Sequence, residues 1–224
     1  MVWTAGYPIG GTIIEQTILK FKIGIKKNFI MKRVAIFASG SGTNAQNIIE
    51  YFKNSRDITV DSLWSNNEDA YALIRAEKLG IETFTFGRDE LYRSIEVLET
   101  LSDRKVDMIV LAGFLWLLPA SLTEEFIVVN IHPALLPKYG GKGMYGRFVH
   151  EAVLKNKDRE SGISIHYVNG RYDEGEIIFQ ARCPVDPSDT ADTLAQKIHQ
   201  LEYEHYPRVI GQVLLKAGQE AEEA

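Results

Sequence analysis

The stretch Ile127-Val128-Val129-Asn130-Ile131-His132-Pro133 constrains the fold more than any other part of the 224-residue chain. Three β-branched residues in a row read as a strand buried on both faces, as in a sheet covered by helices on either side. Pro133 cannot donate to a sheet ladder, so the strand has to end there. Side chains alternate across a strand, which puts Asn130 and His132 on one face and Ile131 on the other. An amide and an imidazole therefore stand side by side at the carboxyl end of a strand, where open α/β sheets bind ligands. Read alone, the pair serves equally well to satisfy backbone groups at a strand end.

The rest of the chain supplies the sheet and its cover. Apolar runs predict strands at 34–38, 59–64, 81–86 and 107–112, and helical spacing predicts helices at 45–52, 68–79 and 89–101 between them. After the central strand, a helix is expected at 147–155, strands at 161–168 and 176–185, and a long helix at 191–215. Alternation of this kind predicts right-handed βαβ units. The expected class is α/β: a doubly wound, mostly parallel sheet flanked by helices, with a Rossmann-type N-terminal half. Residues 1–30 read as an N-terminal extension without a signal-peptide pattern, because Met31 looks like a natural start before the first strand. Residues 31–217 read as one domain and 218–224 as an acidic flexible tail.

A formal net charge of −5 argues against a nucleic-acid partner. No apolar run reaches the roughly 20 residues needed to cross a bilayer, so no membrane partner is expected. The one cysteine, Cys183, allows no internal disulfide and suits a reducing, cytoplasmic setting. It falls in an apolar run and reads as a buried small hydrophobe. A monomer or homodimer acting on small molecules fits these traits.

Ser39-Gly40-Ser41-Gly42-Thr43-Asn44 links the first strand to the first helix. Strand, glycine-serine turn and helix N-terminus make a geometry that holds a phosphate, although such a turn also serves as a tight connection. It lacks the Gly-Lys-Ser/Thr of a Walker loop and the third glycine of a dinucleotide fingerprint. The glycine-rich run 138–146 reads as a substrate-embracing loop. Asp173 lies among turn formers and, taken alone, reads as a turn residue. His150 is expected on a helix surface, and His199 and His205 as scaffold in the last helix. His166 shares a strand face with Ser164, either lining a site or filling the core. No His, Cys, Asp or Glu cluster has metal-ligand spacing, so no metal is expected.

Asn130-Ile131-His132-Pro133-Ala134-Leu135-Leu136-Pro137, preceded by Leu111-Ala112-Gly113-Phe114, resembles the folate-dependent formyltransferases over about residues 31–211. The resemblance implies transfer of the formyl group of 10-formyltetrahydrofolate to the amine of glycinamide ribonucleotide, in purine biosynthesis. It implies direct attack with no covalent intermediate, Asn130, His132 and Asp173 being catalytic and Asp173 raising the pKa of His132. It implies Gly42, Thr43 and Asn44 for the substrate phosphate, and Glu202 for ribose hydroxyls unless that side chain is merely solvated. For the folate it implies a wall of Leu115, Leu117 and Leu118, with Asn130 beside it. Arg88 falls roughly where the family has a folate-binding arginine, a solvated arginine being the other reading. Trp116 departs from the family, which often has a basic residue there. Formyltetrahydrofolate hydrolases and the formyltransferases of methionyl-tRNA and of sugars resemble the same residue set. The phosphate-type loop favours a phosphorylated acceptor, and a binding-only module is the remaining alternative.

Overall fold

The computed structural model describes residues 31–223; the predicted N-terminal extension lies outside them. The first half runs β1 (Lys32–Phe37), α1 (Thr43–Phe52), β2 (Ile58–Ser65), α2 (Tyr71–Lys78), β3 (Glu82–Thr85), α3 (Arg88–Tyr92), α4 (Glu96–Asp103) and β4 (Met108–Leu111). The second runs α5 (Ala120–Glu125), β5 (Ile127–His132), α6 (Arg147–Lys155), β6 (Glu160–Tyr167), β7 (Ile177–Pro184) and α7 (Ala191–Glu223). One sheet has the order β3-β2-β1-β4-β5-β6-β7. Its first five strands are parallel, and β6 and β7 add antiparallel to β5 and to each other. The chain reverses direction between β3 and β4, which enter on opposite sides of β1. That is the switch point at which ligands bind in such sheets.

Alternation sorts each central strand between two cores. Val34, Ile36, Met108, Val110, Val129 and Ile131 face α1, α2 and α7. Ala35, Phe37, Ile109, Leu111 and Val128 face α4, α5 and an aromatic group of Trp64, Phe86 and Phe114. Helix α7 is fixed across the first core by Tyr206, which is fully buried. Its hydroxyl lies 2.9 Å from the Leu111 carbonyl and 3.1 Å from that of Val129, near the carboxyl ends of β4 and β5.

Four local expectations need correction. The helix expected at 89–101 is two helices, because Ser94 Oγ accepts the Glu96 N–H at 3.0 Å and starts a second helix after α3. The helix expected from 68 begins at Tyr71, since Asn67 Oδ1 accepts the Asp69 N–H at 3.1 Å in a turn. The six-residue α5, entered through extended Pro119, is too short to show a period and was not foreseen. The backbone of α7 runs to Glu223, in keeping with the helix preference of Ala, Gln and Glu. Cys183 is half-buried, not buried, and burial pushes its thiol up. No helix among the described residues is long and apolar enough to cross a membrane.

Candidate active site

The carboxyl ends of β1, β4 and β5 open into a cavity of about 650 Å³. Its base is the strand end identified from the sequence. Asn130 and His132 both line it, and the 169–175 turn brings Asp173 against them. Asp173 holds φ 57°, a left-handed conformation that few non-glycine residues adopt. Two residues on, Gly175 passes so close to β6 that a Cβ would lie 1.7 Å from the Tyr167 carbonyl oxygen. The Asp-x-Gly pattern is thus a steric requirement of the turn that delivers the carboxylate.

The three side chains interlock through a fourth. His166, paired with Asn130 across the β5–β6 ladder, is 2% exposed. Its Nδ1 lies 2.7 Å from the Tyr167 carbonyl, an acceptor, so that nitrogen carries the hydrogen. Nε2 is left to accept from Asn130 Nδ2 at 3.1 Å. Asn130 Nδ2 is also 3.5 Å from Asp173 Oδ1, the limit of a hydrogen bond. Asp173 Oδ2 accepts the Gly141 N–H at 2.9 Å and stands 3.5 Å from His132 Nδ1. His132 Nε2 donates to the Tyr139 carbonyl at 2.7 Å.

These contacts determine where a proton goes. With Nε2–H committed to a carbonyl, a proton gained by His132 lands on Nδ1, facing Asp173. Burial pushes His132 below the ordinary imidazole range, and Asp173 and the Tyr139 carbonyl oppose that shift without reversing it. The expectation that Asp173 raises the His132 pKa is therefore corrected: its effect has that sign, but desolvation wins. Burial alone would raise the Asp173 carboxyl. His166, the charge at His132 and the Gly141 N–H outweigh it and hold the group low.

Opposite this group lies the 39–44 turn. Gly42 holds φ 70° just before α1, and a Cβ there would fall 2.5 Å from Cα and Cβ of Ala72. Thr43 and Asn44 open α1, whose first N–H groups have no acceptor within the helix. All three residues line the cavity. Asn44 Nδ2 donates to Glu202 Oε2 at 2.9 Å, which joins this turn to α7. Leu115, Leu117 and Leu118 form a third side of the cavity, the Leu115 N–H held by Ser39 Oγ at 3.0 Å.

Arg88 does not line the cavity with these residues. Its guanidinium lies 4.6 Å from the centroid of Trp116, which does. Two lining residues escaped the sequence reading. His150, expected on the surface, is 3% exposed because its face of α6 turns to the cavity rather than to solvent. His199, expected as scaffold, donates from Nδ1 to Glu202 Oε2 at 2.8 Å, and that bond raises its pKa. Position was the available signal, since residues three apart on a helix share a face. His205 does keep to the scaffold, packed 4.9 Å from the Phe179 ring. No group of three His, Cys, Asp or Glu side chains among the described residues is placed to hold a metal ion.

The comparison with known families agrees with this geometry: the model described as formyl transferase matches residues 32–210. The chain belongs to the formyl transferase family. Among its relatives in that family is a phosphoribosylglycinamide formyltransferase of Haemophilus influenzae, 37% identical over 188 residues, which are 80% of this chain and 86% of that one. A chloroplastic phosphoribosylglycinamide formyltransferase of Arabidopsis thaliana is 38% identical over 191 residues, 81% of this chain and 65% of that longer one. A crystal structure of glycinamide ribonucleotide transformylase 1 from Geobacillus kaustophilus matches with TM-score 0.74 and 34% identity, over 83% of this chain and 100% of that one. The seven-stranded, mostly parallel sheet is the architecture of these formyl transferases.

Proposed function

We propose that the chain transfers the formyl group of 10-formyltetrahydrofolate to the primary amine of glycinamide ribonucleotide, with Asn130, His132 and Asp173 carrying the chemistry. The supporting observation is the linked Asn130–His166–Asp173–His132 group at the base of a cavity in a formyl transferase chain. In this reading the amine nitrogen attacks the formyl carbon and the carbonyl oxygen becomes an oxyanion. One Asn130 amide hydrogen stays on His166, and the other leaves its 3.5 Å contact with Asp173 to donate to that oxygen. A preorganised donor of this kind lowers a barrier by about 3–4 kcal/mol. The attacking nitrogen, cationic once its bond to the formyl carbon has formed, gives up one proton, which charges His132 at Nδ1. His132 exchanges the Tyr139 carbonyl for the reacting group and returns a proton from Nε2 to the departing folate nitrogen as the old C–N bond breaks. Asp173, ionised and facing Nδ1, holds the ring and balances its charge during that step.

Gly42, Thr43 and Asn44 are proposed to bind the acceptor's phosphate through the backbone N–H groups of the turn and the start of α1, and Glu202 its ribose hydroxyls. Leu115, Leu117 and Leu118 form the wall for the folate, with Arg88 contributing through the Trp116 face it covers. A cytoplasmic enzyme acting on small molecules, as monomer or homodimer, completes the reading; the negative net charge and lone thiol support it.

The test follows folate absorbance while both substrates are mixed with wild-type protein and with His132→Ala. Turnover that needs both substrates, and falls roughly 10²–10⁴-fold in the variant, is expected. Folate release without the amine would identify a hydrolase instead. Binding of both ligands without turnover would sink the transferase reading.

A further inference from the structure

Two buried side-chain atoms belonging to residues that line the cavity have no hydrogen-bond partner: Asn44 Oδ1 and His150 Nδ1. Buried polar atoms are almost always paired, so orphans on cavity-lining side chains point to a group that arrives with a ligand and that a small turn of the side chain would meet. His150 is 3% exposed on α6, and its ring is close enough to feel the charges of Glu202, His199 and His132. Asn44 is fixed in orientation: its Nδ2 is spent on Glu202 Oε2, which turns Oδ1 away from that contact. Glu202 is itself 5% exposed, and Oε2 takes both Asn44 and His199. A carboxylate has about four lone-pair sites, so Glu202 keeps acceptor capacity beyond these two bonds.

These atoms define the chemistry that completes them. A carboxylate oxygen and an amide oxygen can only accept, and a neutral imidazole nitrogen can donate one hydrogen. An anion would meet two acceptors, so this corner of the cavity does not suit a phosphate. Two adjacent hydroxyls match it: each O–H donates to one oxygen acceptor, and a lone pair receives the ring N–H. Burial pushes the His150 imidazole down, which keeps it neutral in this role.

We propose that His150, together with Asn44 Oδ1, binds the ribose hydroxyls of the acceptor substrate beside Glu202 and makes the enzyme select a ribonucleotide over a deoxyribonucleotide. The inference rests on the formyl-transfer reading above and adds to it a residue that sets acceptor affinity.

The test is steady-state formyl transfer by wild type, His150→Ala and His150→Asn, to glycinamide ribonucleotide and to its 2′- and 3′-deoxy analogues. His150→Ala should raise KM for the ribonucleotide roughly ten-fold, with kcat within about two-fold and KM for the folate unchanged. At least one deoxy analogue should be poorer for wild type by a similar factor, and His150→Ala should lose that preference. His150→Asn, whose amide nitrogen can reach the place of Nδ1, should recover most of the affinity and the preference. A penalty for the missing hydroxyl that stays undiminished in His150→Ala overturns the inference, because a structural role alone gives additive losses. If the alanine variant does not fold, His150→Asn decides: retained preference supports the contact and lost preference overturns it. Wild type that transfers no formyl group to the ribonucleotide sinks both readings. Active wild type with additive variants sinks this one alone.

Discussion

Gly42 turns the chain at φ 70° into α1, and an added methyl would sit 2.5 Å from the Cα and Cβ of Ala72. The obstruction includes backbone of the neighbouring helix and cannot swing aside. Gly42→Ala should therefore lower the unfolding free energy by about 2–4 kcal/mol, from left-handed strain plus overpacking. It should raise KM for the phosphorylated acceptor more than KM for the folate; urea unfolding and initial rates measure the two effects. Equal changes in both KM values would separate Gly42 from the acceptor site. Asp173→Asn tests a different contribution, since it keeps the shape of the turn and removes the charge. The charge opposes burial at His132, so without it the His132 pKa should fall further, as an imidazole NMR titration would read out. Turnover should fall by about 10²-fold or more. A His132 titration unmoved by the substitution would mean that Asp173 does not act on that ring.

At the level of elements, α7 positions the acceptor side of the site. Tyr206 anchors it to the carbonyls of β4 and β5, and Glu202, one turn earlier on the same face, reaches the 39–44 turn. Tyr206→Phe keeps the ring and removes the buried hydroxyl, at an expected cost of about 1–3 kcal/mol. A Tm equal to that of wild type would show that the hydroxyl does not anchor the helix. This kind of tertiary anchor is invisible in sequence. What the sequence carries well is local period and punctuation: the β-branched run ended by Pro133, the glycine turn before α1, and the alternation that pairs Asn130 with His132. It carries poorly whatever depends on a second element. His150 occupies a polar position beside Val149 and Val153, and only the placement of Glu202 and β5 shows that this face looks into a cavity. Arg88 falls by resemblance where the family has a folate-binding arginine, yet its guanidinium packs on the indole of Trp116, and Trp116, not Arg88, lines the cavity.

Over the whole molecule, the cavity histidines make folding stability depend on pH in opposed ways. Burial depresses His132 and His150 below the ordinary imidazole value of 6.5, whereas the Glu202 bond raises His199 above it. For the first two, the unfolded chain binds protons more readily than the native protein. Their neutral forms cost nothing extra above about pH 6.5, and stability drops as pH falls from there toward their folded values. For His199 the contribution is full below pH 6.5 and is lost as pH rises through its raised folded value. Asp173, held low, adds a loss only at more acidic pH, below its ordinary 3.8 and through its folded value. Between pH 6.5 and 5 the two buried rings act together against one half-exposed ring whose bond to Glu202 is partly screened by solvent. Net stability should therefore fall on acidification in this window. Urea unfolding at pH 5.0, 5.75 and 6.5 gives the slope, and His150→Asn should lower it by up to one proton, about 1.4 kcal/mol per pH unit. A slope identical in variant and wild type would mean that His150 takes up no extra proton on unfolding, contrary to a ring kept neutral by burial beside the acceptor site.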